Sequence, residues 1–100
     1  MTRIYDRASA LILDALVLLE SGGLHVVPVD ADIGVAAGDL HARHYDRKTS
    51  PLSMADCVAL ATSLSLAQPL ATSDPALAAA ARLEGAVVIA LPDARGRRPD

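Results

Sequence analysis

The sequence predicts an α/β fold in which helices flank a short parallel sheet. Apolar residues at helical spacing alternate along the chain with short runs of β-branched and apolar residues, an order typical of strands joined by helices. Such connections make the strands parallel, with right-handed crossovers. The chain has 100 residues, enough for one domain, and 52% of them are hydrophobic but only 2% aromatic. The core is therefore expected to consist of alanine, leucine, valine and isoleucine.

Capping and breaking residues place the elements along the chain. Helices are expected over residues 7–20, 30–48, 53–67 and 74–85, with Asp30, Ser53 and Asp74 as N-caps and Pro75 at the first position of the last helix. Strands are expected over residues 24–29, 70–73 and 86–91. The last strand is apolar throughout, which predicts cover on both of its faces. The apolar stripe of the first helix comprises Leu11, Ala15, Leu18 and Leu19.

Composition and charge exclude several classes of protein. Nine Lys and Arg against twelve Asp and Glu give a net charge of −3, which excludes a strongly basic nucleic-acid binder. A single cysteine, Cys57, excludes an internal disulfide and a cysteine-built zinc site. The first residues lack the layout of a signal peptide, and no apolar stretch is long enough to span a membrane. A cytoplasmic protein without membrane contact is expected.

Two carboxylates lie where chemistry is expected in a parallel sheet. Asp56 is on the first turn of the third helix, and Asp74 directly follows the strand 70–73. Because the short connection 67–69 reverses the chain, both carboxylates are expected at the rim formed by the carboxyl ends of the strands. Their oxygens suit Mg²⁺ or Mn²⁺, and a shared ion would relieve their repulsion. We therefore expect their carboxyl groups to lie within about 10 Å of one another, the reach of one ion and its waters.

Capping alone also explains both carboxylates. Ser53-x-x-Asp56 is the pattern of a capping box, with Leu52 and Cys57 placed for a hydrophobic staple. Asp74-Pro75 is the pattern of an N-cap followed by proline. Capping and metal binding can coexist, so both interpretations stay open here.

Other polar residues have simpler explanations. His41 and His44 are three apart on a helix and could reach one ligand, but a solvated or half-packed face is the default interpretation. Cys57 lies among apolar residues, which predicts a buried, inert thiol. Residues 1–92 are expected to form the domain and residues 93–100 a flexible, arginine-rich tail. Its Arg95, Arg97 and Arg98 could instead track RNA phosphates or an acidic partner.

The chain resembles a PIN domain, especially that of VapC-type toxins from bacterial toxin–antitoxin systems. The resemblance rests on GLHVVPVDADIGVAAGDLHARHY, SPLSMADCVALATSL and PLATSDPALAAAARLEGAVVIALP, and covers residues 24–99. It implies a three-layer fold and a Mg²⁺-dependent ribonuclease with four acidic residues around the metal. Asp56 would be the third of these acids and Asp74 the fourth. Thr72 matches the hydroxyl residue that accompanies the last acid.

The beginning of the chain departs from this pattern. The family starts with a central strand that ends in Asp and is followed by D-x-S-A-L, and it supplies a Glu on a later helix. Here Arg3-Ile4-Tyr5 and Asp6 echo that opening only in part, and a helix leading into residues 24–29 is the favoured interpretation. The resemblance thus implies a truncated domain that lacks its central strand. Loss of that strand leaves unpaired edges and favours self-association.

Three functional hypotheses follow from the residues and the resemblance. The first is an endoribonuclease for single-stranded or loop RNA, with Asp56 and Asp74 as catalytic metal ligands, inactive unless other acids complete the site. The second is a non-catalytic module that binds an antitoxin or a full-length PIN homologue. The third is a fragment produced by a misplaced start codon. A homodimer, an RNA substrate and a cognate antitoxin are the expected partners.

Overall fold

The computed structural model describes residues 2–100, with side chains from residue 9 onward. It contains four helices and one parallel two-stranded sheet in which Leu70 pairs with Val88 and Thr72 with Ala90. The predicted α/β class is confirmed. In the described part of the chain, no helix is long and apolar enough to cross a membrane. The elements are α1 (Thr2–Glu20), α2 (Ala31–His44), α3 (Met54–Leu66), β1 (Leu70–Thr72), α4 (Pro75–Leu83) and β2 (Val88–Ala90).

Side-chain caps begin the helices at the predicted positions. The Asp30 carboxylate accepts a hydrogen bond from the Ile33 N–H at 2.8 Å and thereby begins α2. Ser53 and Asp74 cap α3 and α4 in the same way. These bonds satisfy N–H groups that have no partner within a helix, which explains why the boundaries are readable from sequence. Past the end of α4, Gly85 adopts a φ of +83°, a conformation that glycine tolerates without strain.

The second helix ends earlier than predicted, at His44 rather than near Lys48. Tyr45 leaves the helical conformation, and the Asp46 carboxylate accepts hydrogen bonds from the N–H groups of Lys48 and Thr49 at 2.9 and 3.0 Å. The hydrogen bond from Thr49, followed by that from Lys48, holds the pKa of Asp46 below its ordinary value. A short-range polar turn thus replaces the last predicted turn of helix.

The core lies between α2, α3, α4 and β1. α2 and α3 form its main contact, and the largest fully buried side chains are Leu52, Leu60 and Cys57. Alanines fill much of the rest, since Ala37, Ala78 and Ala81 have no exposed surface. The prediction of a core without aromatic side chains is therefore confirmed for the described residues.

Two strand predictions are corrected by the structure. Residues 24–29 form no strand, because among the described residues no neighbouring strand offers them hydrogen-bond partners. The last strand is shorter than predicted, and it is not covered on both faces. Ile89 is 51% exposed and Val87, just before the strand, is 65% exposed. The apolar run predicted cover on both faces of β2, but the described residues do not cover its outer face.

The first helix forms but does not pack as its apolar stripe predicted. It includes residues 3–5, which excludes the alternative of an opening strand. Leu11 is 70% exposed and Leu18 is 47% exposed, and α1 has no substantial contact with another described element. A helix that carries apolar side chains on all of its faces is normally buried in a protein core. The apolar side chains of α1 from residue 9 onward are thus left uncovered by the rest of the described chain.

An ion-pair cluster joins the C-terminal ends of α2 and α4. The Glu84 carboxylate accepts hydrogen bonds from Arg43 Nη1 at 2.8 Å and lies 2.7 Å from His44 Nε2. Arg43 also contacts Asp39 one turn earlier on α2. The hydrogen bond with His44, and then that with Arg43, hold the pKa of Glu84 below its ordinary value. Glu84 therefore stabilises the fold in its ionised form.

We expect Glu84→Gln to lower the free energy of unfolding near neutral pH by on the order of 1 kcal/mol. Because the folded pKa is lowered, the difference between wild type and variant is present above the ordinary glutamate pKa of about 4.3 and is lost as the pH falls through the folded value. Urea unfolding between pH 3 and 7 measures this difference. The exposed Asp39→Asn serves as control, with an expected change below about 0.5 kcal/mol. A Glu84→Gln effect that grows toward acid pH would contradict the assignment.

Candidate functional site

Asp56 lies on the first turn of α3, where the local sequence builds a capping box. The Ser53 hydroxyl accepts a hydrogen bond from the Asp56 N–H at 3.0 Å, and Asp56 Oδ2 accepts one from the Ser53 N–H at 3.1 Å. On either side, Leu52 and Cys57 are buried in the core, where the hydrophobic staple predicts them. The capping interpretation of Asp56 is confirmed, and its half-buried carboxylate is fixed at the end of the helix.

Asp74 links the end of β1 to the start of α4. Its Oδ2 accepts a hydrogen bond from the Leu77 N–H at 3.2 Å, which confirms the predicted N-cap. Its own N–H donates to Thr72 Oγ1 at 3.0 Å, and Thr72 is buried at the last position of β1. The hydroxyl that the resemblance singled out therefore positions the backbone of Asp74.

A surface cavity brings the approach to α3 against the start of α4. It has a volume of about 560 Å³ and is lined by Asp74, by Thr49 to Pro51, and by His44. Pro51 lies two residues before the N-cap of α3 and Asp74 is the N-cap of α4, so the cavity lies between the approach to one helix and the start of the other. Asp56 is not among the residues that line this cavity, so the common rim of the two carboxylates and their separation stay predictions.

Both carboxylates keep one oxygen outside the capping bonds. Capping uses Oδ2 of Asp56 and Oδ2 of Asp74. Among residues with described side chains, no hydrogen-bond donor or cation contacts Oδ1 of either. Such open carboxylate oxygens are chemically suited to Mg²⁺ or Mn²⁺. Two carboxylates are a small ligand set, and within the described part of the chain no group of three or more His, Cys, Asp or Glu could hold a metal ion.

The histidine pair does not converge on one ligand. His41 stacks on Tyr45, with ring centroids 4.7 Å apart and an interplanar angle of 18°. His44 is engaged with Glu84. Both side chains are partly buried, which confirms the interpretation of a half-packed helix face.

Cys57 has the character of a structural residue. It is fully buried beside Leu60 in the core, and burial, with a smaller effect of the Asp56 charge, raises the pKa of its thiol. The reactive thiolate is therefore disfavoured, as predicted for a buried cysteine.

Two features of this region were missed by sequence reasoning. Glu84 contacts residues about 40 positions earlier in the chain, and no local pattern indicates such a pairing. Ser73 and Arg97 line a second cavity, of about 350 Å³, immediately beside Asp74. The cluster of arginines near the end of the sequence hinted at a binding site. Its position beside Asp74 could not be predicted, because that position depends on how residues 91–100 fold back.

The comparisons with known proteins support one family. The sequence pattern of the PIN domain matches residues 1–83, which include both carboxylates and all four helices. Among curated proteins and among solved structures, nothing matches the chain.

Proposed function

Because the chain belongs to the PIN domain family, whose membership indicates a nuclease-type function, we propose that it is a VapC-type endoribonuclease domain of a toxin–antitoxin system. Asp56 and Asp74 are its metal ligands in this proposal, and Mg²⁺ or Mn²⁺ its cofactor. The observation that supports it is that each carboxylate caps the start of a helix through Oδ2, while none of the described hydrogen-bond donors or cations contacts its Oδ1. Single-stranded or loop RNA in the cytoplasm is the proposed substrate.

The chain's own residues prepare this site before any ligand arrives. The capping box fixes the direction of the Asp56 carboxylate, and the bond from Asp74 N–H to Thr72 Oγ1 fixes the turn that carries Asp74. Fixed ligands lose little conformational freedom on binding. When bound, a divalent cation would polarise a phosphoryl oxygen and lower the pKa of a water.

We further propose that the chain alone has little or no nuclease activity. Asp56 and Asp74 supply two of the four acids that the resemblance implies. Phosphodiester hydrolysis needs an activated water, a stabilised leaving oxygen and charge neutralisation at phosphorus. Two carboxylates hold a divalent ion weakly, so further acids are needed to complete the site.

Titration with Mn²⁺ tests the ligands, with the variants Asp56→Asn and Asp74→Asn. Asparagine is as good an N-cap as aspartate, so Asp74→Asn preserves its cap while removing the charge that attracts the ion. We expect weak wild-type binding and at least a tenfold loss in each variant. Asp30→Asn is the matched control, because Asp30 caps α2 and lines a different cavity, beside the C-terminal end of α3. Equal Mn²⁺ affinity in all four proteins would refute the proposed metal site.

Incubation with a mixed RNA pool and Mg²⁺ or Mn²⁺ tests the proposed lack of activity. We expect no metal-dependent cleavage by the isolated chain. Cleavage that disappears in Asp74→Asn would show that the two carboxylates suffice, or that Asp6 supplies a third.

A second candidate function is a non-catalytic module that binds an antitoxin, a full-length PIN homologue or a second copy of itself. The exposed apolar surface of α1, with Leu11 at 70% exposure, favours this candidate. We propose a homodimer, because the apolar surface is large enough for one. The Mn²⁺ titration separates the two candidates, since a module without a metal site has no reason to bind the ion through Asp56 and Asp74.

A further inference from the structure

The last eight residues fold back onto the side of the molecule that carries Asp74. Asp93 Oδ1 accepts hydrogen bonds from the N–H groups of Arg95 and Arg97 at 2.8 and 2.9 Å, which closes a turn. Arg98 Nη1 donates to the Ala90 carbonyl at 3.2 Å. Pro99 is buried. These contacts give the arginines a defined place relative to the sheet.

That place is a cavity beside Asp74. The cavity has a volume of about 350 Å³ and is lined by Ser73, Pro75, Asp93, Arg97, Arg98 and Pro99. Ser73 and Pro75 are the chain neighbours of Asp74, and Pro75 also lines the larger cavity of about 560 Å³. Asp74 thus lines the larger cavity, its two chain neighbours line the smaller one, and the smaller one carries two arginines.

The two guanidinium groups have capacity for a ligand. The Arg97 side chain is 69% exposed, and its guanidinium has one described contact, from Nε to Asp93 Oδ2 at 3.7 Å. Arg98 has a described contact only through Nη1 to a carbonyl. A guanidinium carries five N–H donors in a planar fork, which matches the oxygens of a phosphate. The Ser73 hydroxyl adds a neutral donor to the lining of the same cavity.

Charge selects the class of ligand. The whole chain has a net charge of −3, so a nucleic-acid strand is not attracted by the protein as a whole. A local pair of arginines is then the means by which a phosphate backbone can be held. The arginines lie beside the carboxylate that we propose to hold the catalytic metal. Binding of an acidic protein partner would not require the arginines to lie beside Asp74.

We propose that Arg97, Arg98 and Ser73 form a binding site for a backbone phosphate of single-stranded RNA, next to the phosphate that is cleaved. This inference rests on the proposed function in one respect: the bound RNA strand must also pass Asp74, where the proposed metal would act. The arginines act as positioning residues, since phosphate contacts fix the register of a strand and read no sequence.

Anisotropy of a fluorescent single-stranded RNA measures this binding in EDTA, so that no metal contributes. We expect Arg97→Gln combined with Arg98→Gln to weaken binding about tenfold at low salt. Loss of this one phosphate contact should also reduce the slope of log affinity against log salt by about 0.7. Arg95→Gln is the control, because Arg95 belongs to the same segment but does not line the cavity. It should change affinity by less than twofold.

Lysine at both positions tests the role of the charge. We expect the Arg97→Lys, Arg98→Lys protein to recover the salt slope but not the full affinity, because lysine cannot form the two-pronged contact. Equal losses in Arg95→Gln and in the double glutamine variant would overturn the site. A poly-glutamate peptide that binds as tightly as RNA, with the same loss in the variant, would overturn it in favour of an acidic partner.

The metal and strand experiments fail independently. If the Mn²⁺ affinity is unchanged in Asp56→Asn and Asp74→Asn, the proposed nuclease centre is refuted. Weaker RNA binding by the arginine variants would still support the phosphate site in that case. Conversely, metal binding through both carboxylates with unchanged RNA binding by the arginine variants refutes only the phosphate site.

Discussion

Replacement of Leu60 by alanine is expected to lower the free energy of unfolding by about 3 kcal/mol. Leu60 lies on α3 with no exposed surface, in the contact between α3 and the rest of the core. The substitution removes buried apolar atoms and leaves a cavity that fixed helices cannot close. A domain of this size is stabilised by only about 5–15 kcal/mol, so the loss is a large fraction of the total. Urea unfolding followed by circular dichroism measures it.

The control is Leu83→Ala, the same substitution on α4. Leu83 is 78% exposed, and its loss should change stability by less than about 0.5 kcal/mol. Similar effects of the two substitutions would mean that the core is not the one described here.

Self-association through α1 is the second large effect. Eleven apolar residues of α1 and of residues 24–29 are between 37% and 77% exposed. Together they present on the order of 1,000 Å², more than the roughly 300–600 Å² patch of a typical monomer and comparable to the ~800 Å² that each partner buries in a stable complex. We therefore expect wild type to sediment as a dimer at micromolar concentration.

Charges on the apolar stripe should dissociate this dimer. Leu11→Glu and Leu18→Glu lie two turns apart on α1, and together we expect them to weaken association at least a hundredfold. The control is Val35→Glu, which places the same charge on α2 at a residue that is 75% exposed. A wild type that sediments as a monomer of 10.3 kDa would contradict the proposal. So would a dimer that survives both charges on α1.

Sequence reasoning succeeded where local chemistry decides the structure. Ser53, Asp74 and Gly85 determine helix ends through hydrogen bonds and backbone conformations that involve only near neighbours. It failed at residues 24–29 and at the outer face of β2, where the outcome depends on what else is available to pair or pack. An apolar run shows that a segment gains free energy from cover, but not whether this chain supplies that cover.

The candidate site divides in the same way. Asp56 and Asp74 were identified because their positions relative to helix starts and a strand end are local properties. The place of Arg97 beside Asp74 depends on the turn at Asp93, and the Glu84 contacts join segments that are far apart in sequence. Only the fold as a whole brings these groups together.

The alanine-filled core also limits which substitutions the protein tolerates. Ala37, Ala78 and Ala81 have no exposed surface, and their small side chains allow neighbouring elements to approach closely. A single-nucleotide change that alters the residue encoded by an alanine codon yields valine, threonine, proline, serine, glycine, aspartate or glutamate. Most of these residues are larger, charged or helix-breaking, and each would overpack the core, bury a polar group or break a helix. Point mutations at these codons should therefore be eliminated by selection far more often than those at the exposed leucines.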